Sequence, residues 1–355
     1  MQIRTAVGII NIVLKRDRKA GYYGSAQAGA SMYDLDFGGY NASANINYSS
    51  GKLDAYANIS YRERHHRNEN TSYRESYRGA DTTYLDQLGH GNMNGRNMFA
   101  RAGLTWHVTG KNHISFDVMG MMGNPRRTNV IDYTGGQVVN GNLNEEYTRN
   151  RTTASTGQMQ MYNLSLGYKH EWSTTHWIDF TASRHHWGNN NNNEYRDSTY
   201  MNVPLESSLH VPSYGSYQEQ VGAMSSVDYE VQLDYENAFN DNHKLQAGYR
   251  GTFTRENSPV STYSDSERQH EIESLYNRFI YNRDLHALYA TYSGKLRERF
   301  GYQVGLRGEY YAVSTDSHHK QDGVISTHPE KIDPVFQLFP SVFLSYQLPG
   351  DNELQ

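Results

Sequence analysis

An all-β fold, an antiparallel transmembrane β-barrel, is what this sequence predicts, and three observations predict it. Apolar and polar residues alternate with period two over long segments, these segments come in pairs joined by tight turns, and long polar connections separate one pair from the next. The chain has 355 residues, among them 30 Tyr, 31 Gly and only 8 Pro. No window approaches the unbroken apolar run of about 18 residues that a spanning helix requires, so helical membrane proteins are excluded. The mean hydropathy is polar, which a barrel allows because only alternate strand residues meet lipid while lumen and loops meet water. Aromatic residues make up 13% of the chain at ordered spacing, whereas disorder depletes them.

The alternation is explicit. From Tyr40 to Tyr48 the even positions are Tyr40, Ala42, Ala44, Ile46 and Tyr48, and the odd ones Asn41, Ser43, Asn45 and Asn47. This is a strand with one apolar face, capped by Tyr at both ends. Leu53, Ala55, Ala57, Ile59 and Tyr61 continue it after the tight turn Ser49-Ser50-Gly51-Lys52. A second hairpin runs from Met98 to Val108, turns at Gly110-Lys111-Asn112 and returns through Ile114, Phe116 and Val118. The third uses Tyr162, Leu164, Leu166 and Tyr168, then Ile178, Phe180 and Ala182; the fourth, Val227, Tyr229, Val231, Leu233 and Tyr235, then Leu245, Ala247, Tyr249 and Phe253. A fifth spans Leu288 to Tyr310, and a sixth begins at Val342 and turns at Pro349-Gly350-Asp351-Asn352. With a strand from Gly21 to Met32, roughly twelve spanning strands are predicted.

Between the hairpins lie the polar stretches Arg64 to Gly95, Gly123 to Thr156, Gly188 to Gln220, Asn257 to Asp284 and Ser314 to Asp333. Loops longer than about 12–15 residues are uncommon in compact domains. A barrel in a Gram-negative outer membrane supplies them, with short periplasmic turns and long extracellular loops. Sandwiches, solenoids and propellers predict strands of about 5–6 residues. The segments here match spanning strands of about 9–11 residues, with Tyr and Trp as interfacial girdles.

Residues Gly8-Ile9-Ile10-Asn11-Ile12-Val13-Leu14-Lys15-Arg16, an apolar strand followed by a basic run, resemble the last plug strand of TonB-dependent receptors. The remainder resembles the Bacteroidetes-type outer-membrane β-barrel branch of that family, in Ile46-Asn47-Tyr48 through Gly51-Lys52, Asp81-Thr82-Thr83-Tyr84, and Phe339-Pro340-Ser341 through Leu344-Ser345-Tyr346. The resemblance implies residues 1–18 as plug end and linker, and 19–355 as a barrel truncated at its C-terminus, about 12 strands of a probable 22. It also implies uptake of a large or scarce nutrient (siderophore, glycan or peptide), an energy-coupling TonB complex acting through the plug region, and a surface lipoprotein partner. The rival expectation is a non-transporting binding or adhesion barrel.

Several chemistries are set aside. No Cys is present, which removes disulfides, thiolate metal sites and thiol nucleophiles. The net charge of -5 with interspersed signs offers no basic stripe for nucleic acid. No phosphate-binding, zinc or nucleophile motif appears, and neither an enzyme nor a cofactor is expected. As metal candidates stand the pairs His65-His66, His185-His186 and His318-His319, since imidazole binds zinc, copper and haem iron. Adjacent residues on a strand point to opposite faces, however, so no pair there grips one ion. The row Asp228, Glu230, Asp234 and Glu236 is expected to face inward, neutralised by neighbours such as Arg250. Tyr73, Tyr77, Tyr84, Tyr195, Tyr200, Tyr214 and Tyr217 stand as ligand-stacking candidates. The run Asn189 to Asn193 reads as a mobile loop tip.

Overall fold

Alternating β-branched and aromatic residues fit a pleated surface with one apolar face, and hydrocarbon demands that every peptide N–H and C=O on that surface be paired. A computed structural model describes residues 20–33, 36–79, 81–201, 211–297, 299–348 and 353–354. The expected plug end, residues 1–18, and the turn at 349–352 lie outside them. The strands are β1 (Gly21–Tyr33), β2 (Asp36–Ser49), β3 (Leu53–Arg78), β4 (Asp81–Thr109), β5 (Asn112–Val139), β6 (Asn142–Ser173) and β7 (His176–Met201). They continue with β8 (Val211–Asn240), β9 (His243–Tyr263), β10 (Asn277–Leu296), β11 (Phe300–Gln321), β12 (Val324–Gln347) and the short β13 (Glu353–Leu354). All pair in chain order as one antiparallel meander, and β1 and β13 do not meet.

The predicted strands are all present, but they run on through most of the stretches read as loops. Strands β3 and β4 stay in register from Leu53↔Trp106 to Arg78↔Asp81, so the stretch from Arg64 to Gly95 is a hairpin rather than a loop. The same holds for β5 and β6, paired out to Val139↔Asn142, and for β11 and β12, paired out to Gln321↔Val324. Asn189 to Asn193, expected at a mobile tip, lies inside β7 between β6 and β8. The physical reason is that the ladder needs only backbone groups. Above the bilayer both faces are wet, so the apolar alternation fades while the hydrogen bonding continues. Two tips close on turns whose central residues have positive φ: Asn140 (51°) with Gly141 (79°), and Asp322 (51°) with Gly323 (76°). These are the dihedral signs of type I′ hairpin turns. The stretch from β9 to β10 alone keeps irregular backbone among the described connections, with one 3-10 turn at Glu273–Leu275.

The sheet is apolar outside and polar inside. Tyr84, Ala287 and Val313 are the only buried hydrophobic side chains among the described residues, whereas Leu166 and Leu288 are 50% and 67% exposed. A soluble protein of this size has a buried apolar core; this one turns its apolar residues outward to lipid. The turns at Gly51, Gly110, Thr174 and Asp241 define the periplasmic rim, where Tyr22 packs on Tyr48 at 4.8 Å and Trp172 on His176 at 4.3 Å. At the opposite rim Tyr40 stacks on Tyr61 at 5.8 Å and Tyr162 on His186 at 4.7 Å. These are the two aromatic girdles. Inside, Gly103 leaves room for the Tyr56 ring and Gly248 for the Tyr289 ring; a Cβ at either glycine would lie 2.6 Å from that ring. The aromatic ring covers the bare backbone of its neighbour and pins the local register.

Two outcomes check these faces. Leu233→Arg places charge in lipid and is expected to cost about 2–4 kcal/mol, read as loss of the folded band after outer-membrane assembly, while Gln232→Arg assembles normally. On intact cells, protease is expected to cut at the β3–β4 tip near Gly79 and to spare Ser50 to Lys52. Equal tolerance of the two Arg variants would contradict the faces, and inverted cleavage the orientation.

Candidate functional site

With the outer face given to lipid, chemistry is left to the inner face and to the hairpin wall above the bilayer. Near the periplasmic rim the inner face carries a connected polar belt. His107 contacts Asp54 at 2.9 Å and His113 at 2.7 Å, and Lys169 pairs with Glu171 at 3.0 Å while its ammonium lies over Trp177. Asp117 accepts from Tyr56 and, at 3.0 Å, from Arg101. The acidic row of β8 is saturated by its neighbours. Arg250 meets Glu230 at 2.6 Å, Gln232 and Tyr289 donate to Asp234, Thr254 donates to Asp228 at 2.5 Å, and Gln246 donates to Glu236 at 2.7 Å. Each wet pair contributes about 0–1 kcal/mol, so the belt's main effect is to line the lumen with fixed, matched charge.

Higher on the same face the pattern changes. Met119 and Met121 on β5, and Met159 and Met161 on β6, share the strand parity of Asp117 and Ser165, so they face the lumen. Phe99 pairs with Met121 and Trp187 with Met161, extending the patch by one strand on either side. Sequence reading passed over these residues because each strand was recognised by its lipid face. The signal was nonetheless present as apolar side chains on the polar half of the alternation.

The histidine pairs fall on β3, β7 and β11, and each is split by the pleat. His65 contacts Asn94 at 2.9 Å and Glu63 at 3.2 Å, while His66 pairs with Met93 on the other face. His185 contacts Ser183 at 3.1 Å on the luminal side, and His186 stacks outside on Tyr162. His318 contacts Thr327 at 2.9 Å, and His319 lies beside His328. Strands four apart in a sheet stand about 19 Å apart, which keeps the pairs from converging within the sheet. Among the described residues no three His, Asp or Glu side chains group as metal ligands. The tyrosine candidates belong to the hairpin walls: Tyr73 stacks on Tyr84 at 6.3 Å, and Arg151 and Arg196 cover Tyr195 and Tyr217.

Above the bilayer, the β9–β10 connection is tied to the wall through Glu219, which is 3% exposed. Arg268 from the connection grips it with two hydrogen bonds, at 2.6 and 3.1 Å, and Asn192 donates a third at 2.6 Å. These donors, Arg268 first, hold the Glu219 carboxyl below its ordinary range, against the opposing effect of burial. Lys320 secures the same connection by pairing with Glu271 at 2.6 Å.

A sheet that is polar within, apolar without and ringed by aromatics at two levels defines an integral β-barrel protein of the Gram-negative outer membrane. Residues 179–355 match the model of the outer membrane protein beta-barrel family. Among solved structures, the chain is similar to the outer membrane protease OmpT from Escherichia coli, at 9% identity over 83% of this chain and 96% of that one, with a TM-score of 0.27. It is also similar to the monoaromatic hydrocarbon channel CymD, at 6% identity over 91% of this chain and 86% of that one, with a TM-score of 0.29. The Pseudomonas putida toluene transporter TodX matches at 7% identity over 91% and 85%, with a TM-score of 0.29. No curated protein matches the chain in sequence.

The Glu219 site makes a pH prediction. Because its carboxyl titrates lower in the docked state than when free, docking is fully supported above the ordinary value of about 4.5 and weakens as pH falls through the depressed one. Hydrogen exchange of amides 265–272, corrected for intrinsic rates, is expected to show protection at pH 6 that declines as the pH is lowered below the ordinary carboxylate range. Glu219→Gln is expected to be less protected at pH 6 and to flatten that difference. An unchanged pH response in this variant would show that another group controls the connection.

Proposed function

We propose that the protein is the barrel of a TonB-dependent receptor that imports a large or scarce nutrient across the outer membrane. The observation that carries this reading is the open sheet. Among the described residues β1 pairs with β2 alone, and β12 has the two residues of β13 beyond it. A free edge is costly in hydrocarbon, which supports a barrel wider than the strands described here, and wide barrels of this class hold a plug in the lumen. The resemblance of residues 8–16 to a plug strand supports the same reading, as does a luminal face studded with matched charges on which a polar plug can slide. In it, the hairpin walls capture the cargo, an inner-membrane energy-coupling complex acts on the plug, a surface lipoprotein assists capture, and the chain performs no catalytic step.

The absence of cysteine gives a direct test. Thr181→Cys on the luminal face and Asn242→Cys at the periplasmic rim are labelled in intact cells with a maleimide carrying a bulky polymer, and again in outer membranes treated with urea to unfold a plug. A plugged receptor is expected to show Thr181→Cys protected in cells and labelled after urea. Labelling of Thr181→Cys in untreated cells would mean an unplugged pore and end the receptor reading. Protection that persists in urea would instead favour a narrow, self-filled binding or adhesion barrel.

A further inference from the structure

Along most of this sheet the luminal positions carry Asp, Glu, Arg, Ser, Thr and Asn, as a water-lined interior requires. Phe339 and Phe343 on β12 depart from this, opposite Arg307 and Gln303, and so does the methionine patch. Met121 stands directly opposite Met161, Met119 opposite Asn163, and Met159 opposite Gly123, so four thioethers occupy three successive luminal rungs of β5 and β6. Directly opposed Cβ atoms lie about 4.5–5.5 Å apart and diagonal neighbours about 7–8 Å, within reach of long unbranched side chains. The methyl carbon of Met159 lies 3.4 Å from where a Cβ on Gly123 would stand, so that side chain lies across the glycine gap toward β5.

Apolarity alone does not account for the choice of residue. Strands favour β-branched and aromatic side chains, and the lipid face of this sheet uses Val, Ile, Leu and Phe freely. Of the 11 methionines in the chain, seven (Met93, Met119, Met121, Met159, Met161, Met201 and Met224) hold luminal parity. Two further groups adjoin the patch. His185 pairs with Asn163 on the next strand, bringing an imidazole beside the thioethers. The buried carboxamide oxygen of Asn163 has no hydrogen-bond partner. The nearest luminal cation, Arg101 opposite Met119, is matched by Asp117 at 3.0 Å, so its charge does not stand unopposed against a bound cation.

Thioether sulfur is a neutral, polarisable donor that selects soft ions such as Cu(I) over magnesium, calcium or manganese. We propose that Met119, Met121, Met159 and Met161 form a luminal binding site for a soft monovalent metal ion of the Cu(I) class, with His185 as an imidazole ligand beside them. The site belongs to the wall of the barrel and requires no energy coupling, so its binding test is independent of the receptor reading. With no cysteine in the chain, tight soft-ion binding has no thiolate to explain it.

The probe is Ag(I), titrated as the nitrate in chloride-free buffer into the tag-free full chain in detergent, with bound silver measured after dialysis and Trp187 fluorescence followed in parallel. Expected are one saturable ion per chain and quenching that disappears in Trp187→Phe while binding persists. Replacing all four methionines by Leu keeps the patch apolar and close to its volume, and is expected to weaken binding about 100-fold. The lipid-face control Met98→Leu with Met122→Leu is expected to bind as the unaltered chain does. Should the fourfold variant fail to fold, the pairs Met119→Leu with Met121→Leu and Met159→Leu with Met161→Leu are each expected to weaken binding about tenfold. Leu variants that bind silver undiminished would overturn the proposal, as would displacement of the ion by equimolar Zn(II), which would assign it to imidazoles elsewhere.

Discussion

Every feature of this protein depends on the impossibility of leaving a peptide group unpaired in hydrocarbon. An unsatisfied N–H or C=O there costs several kcal/mol, more than any side-chain contact in the sheet returns. The chain meets this constraint with a continuous antiparallel ladder from β1 to β13 in chain order. Once the ladder exists, the pleat assigns alternate residues to two solvents, and the sequence has little freedom about which is which. Ala44, Ile46, Leu166 and Val231 belong to lipid; Asn45, Ser165 and Gln232 belong to the lumen.

The same ladder explains the height of the wall. Strand β6 has 32 residues, where about 9–11 suffice to cross the bilayer. The excess continues because an existing hairpin is extended by one hydrogen-bonded rung at a time, at no cost in new loop closure. Extension ends where a residue pair accepts positive φ, as Asn140-Gly141 and Asp322-Gly323 do. Where no such pair occurs, between β9 and β10, the chain remains irregular and is fastened instead by side chains, Arg268 to Glu219 and Lys320 to Glu271.

What was legible in the sequence follows the same division. Inside the bilayer the two solvents differ maximally, so strands, faces and short turns could be read from Tyr40 to Tyr48 or Val227 to Tyr235 without a structure. Above it the solvents are the same, and the stretch from Arg64 to Gly95 carried no periodicity to separate a paired strand from a loop. The dipeptides Asn140-Gly141 and Asp322-Gly323 did encode hairpins within two of these stretches, but their signal is local and was outweighed by the polar composition around it. Contacts such as Arg268 with Glu219 join residues 49 positions apart, a distance over which composition and period are silent. The inward acidic row and its partner Arg250 were accessible because register follows from two short strands and one tight turn.

The lumen is where the constraint relaxes, and departures from pattern there carry more information than agreement with it. Lipid-facing positions must be apolar whatever the protein does, so Leu288 or Val342 identifies nothing beyond depth. A luminal position needs only to tolerate water, and the default in this sheet is a polar group matched by its neighbour. Apolar residues that gather on that face, as Met119, Met121, Met159 and Met161 do with Phe99 and Trp187, surrender hydration without gaining a hydrocarbon environment. An apolar patch of this kind on a wet face marks a place where something other than water can bind. The choice of methionine then narrows what that occupant is, because among apolar side chains it alone here brings a lone pair soft enough to bind a metal.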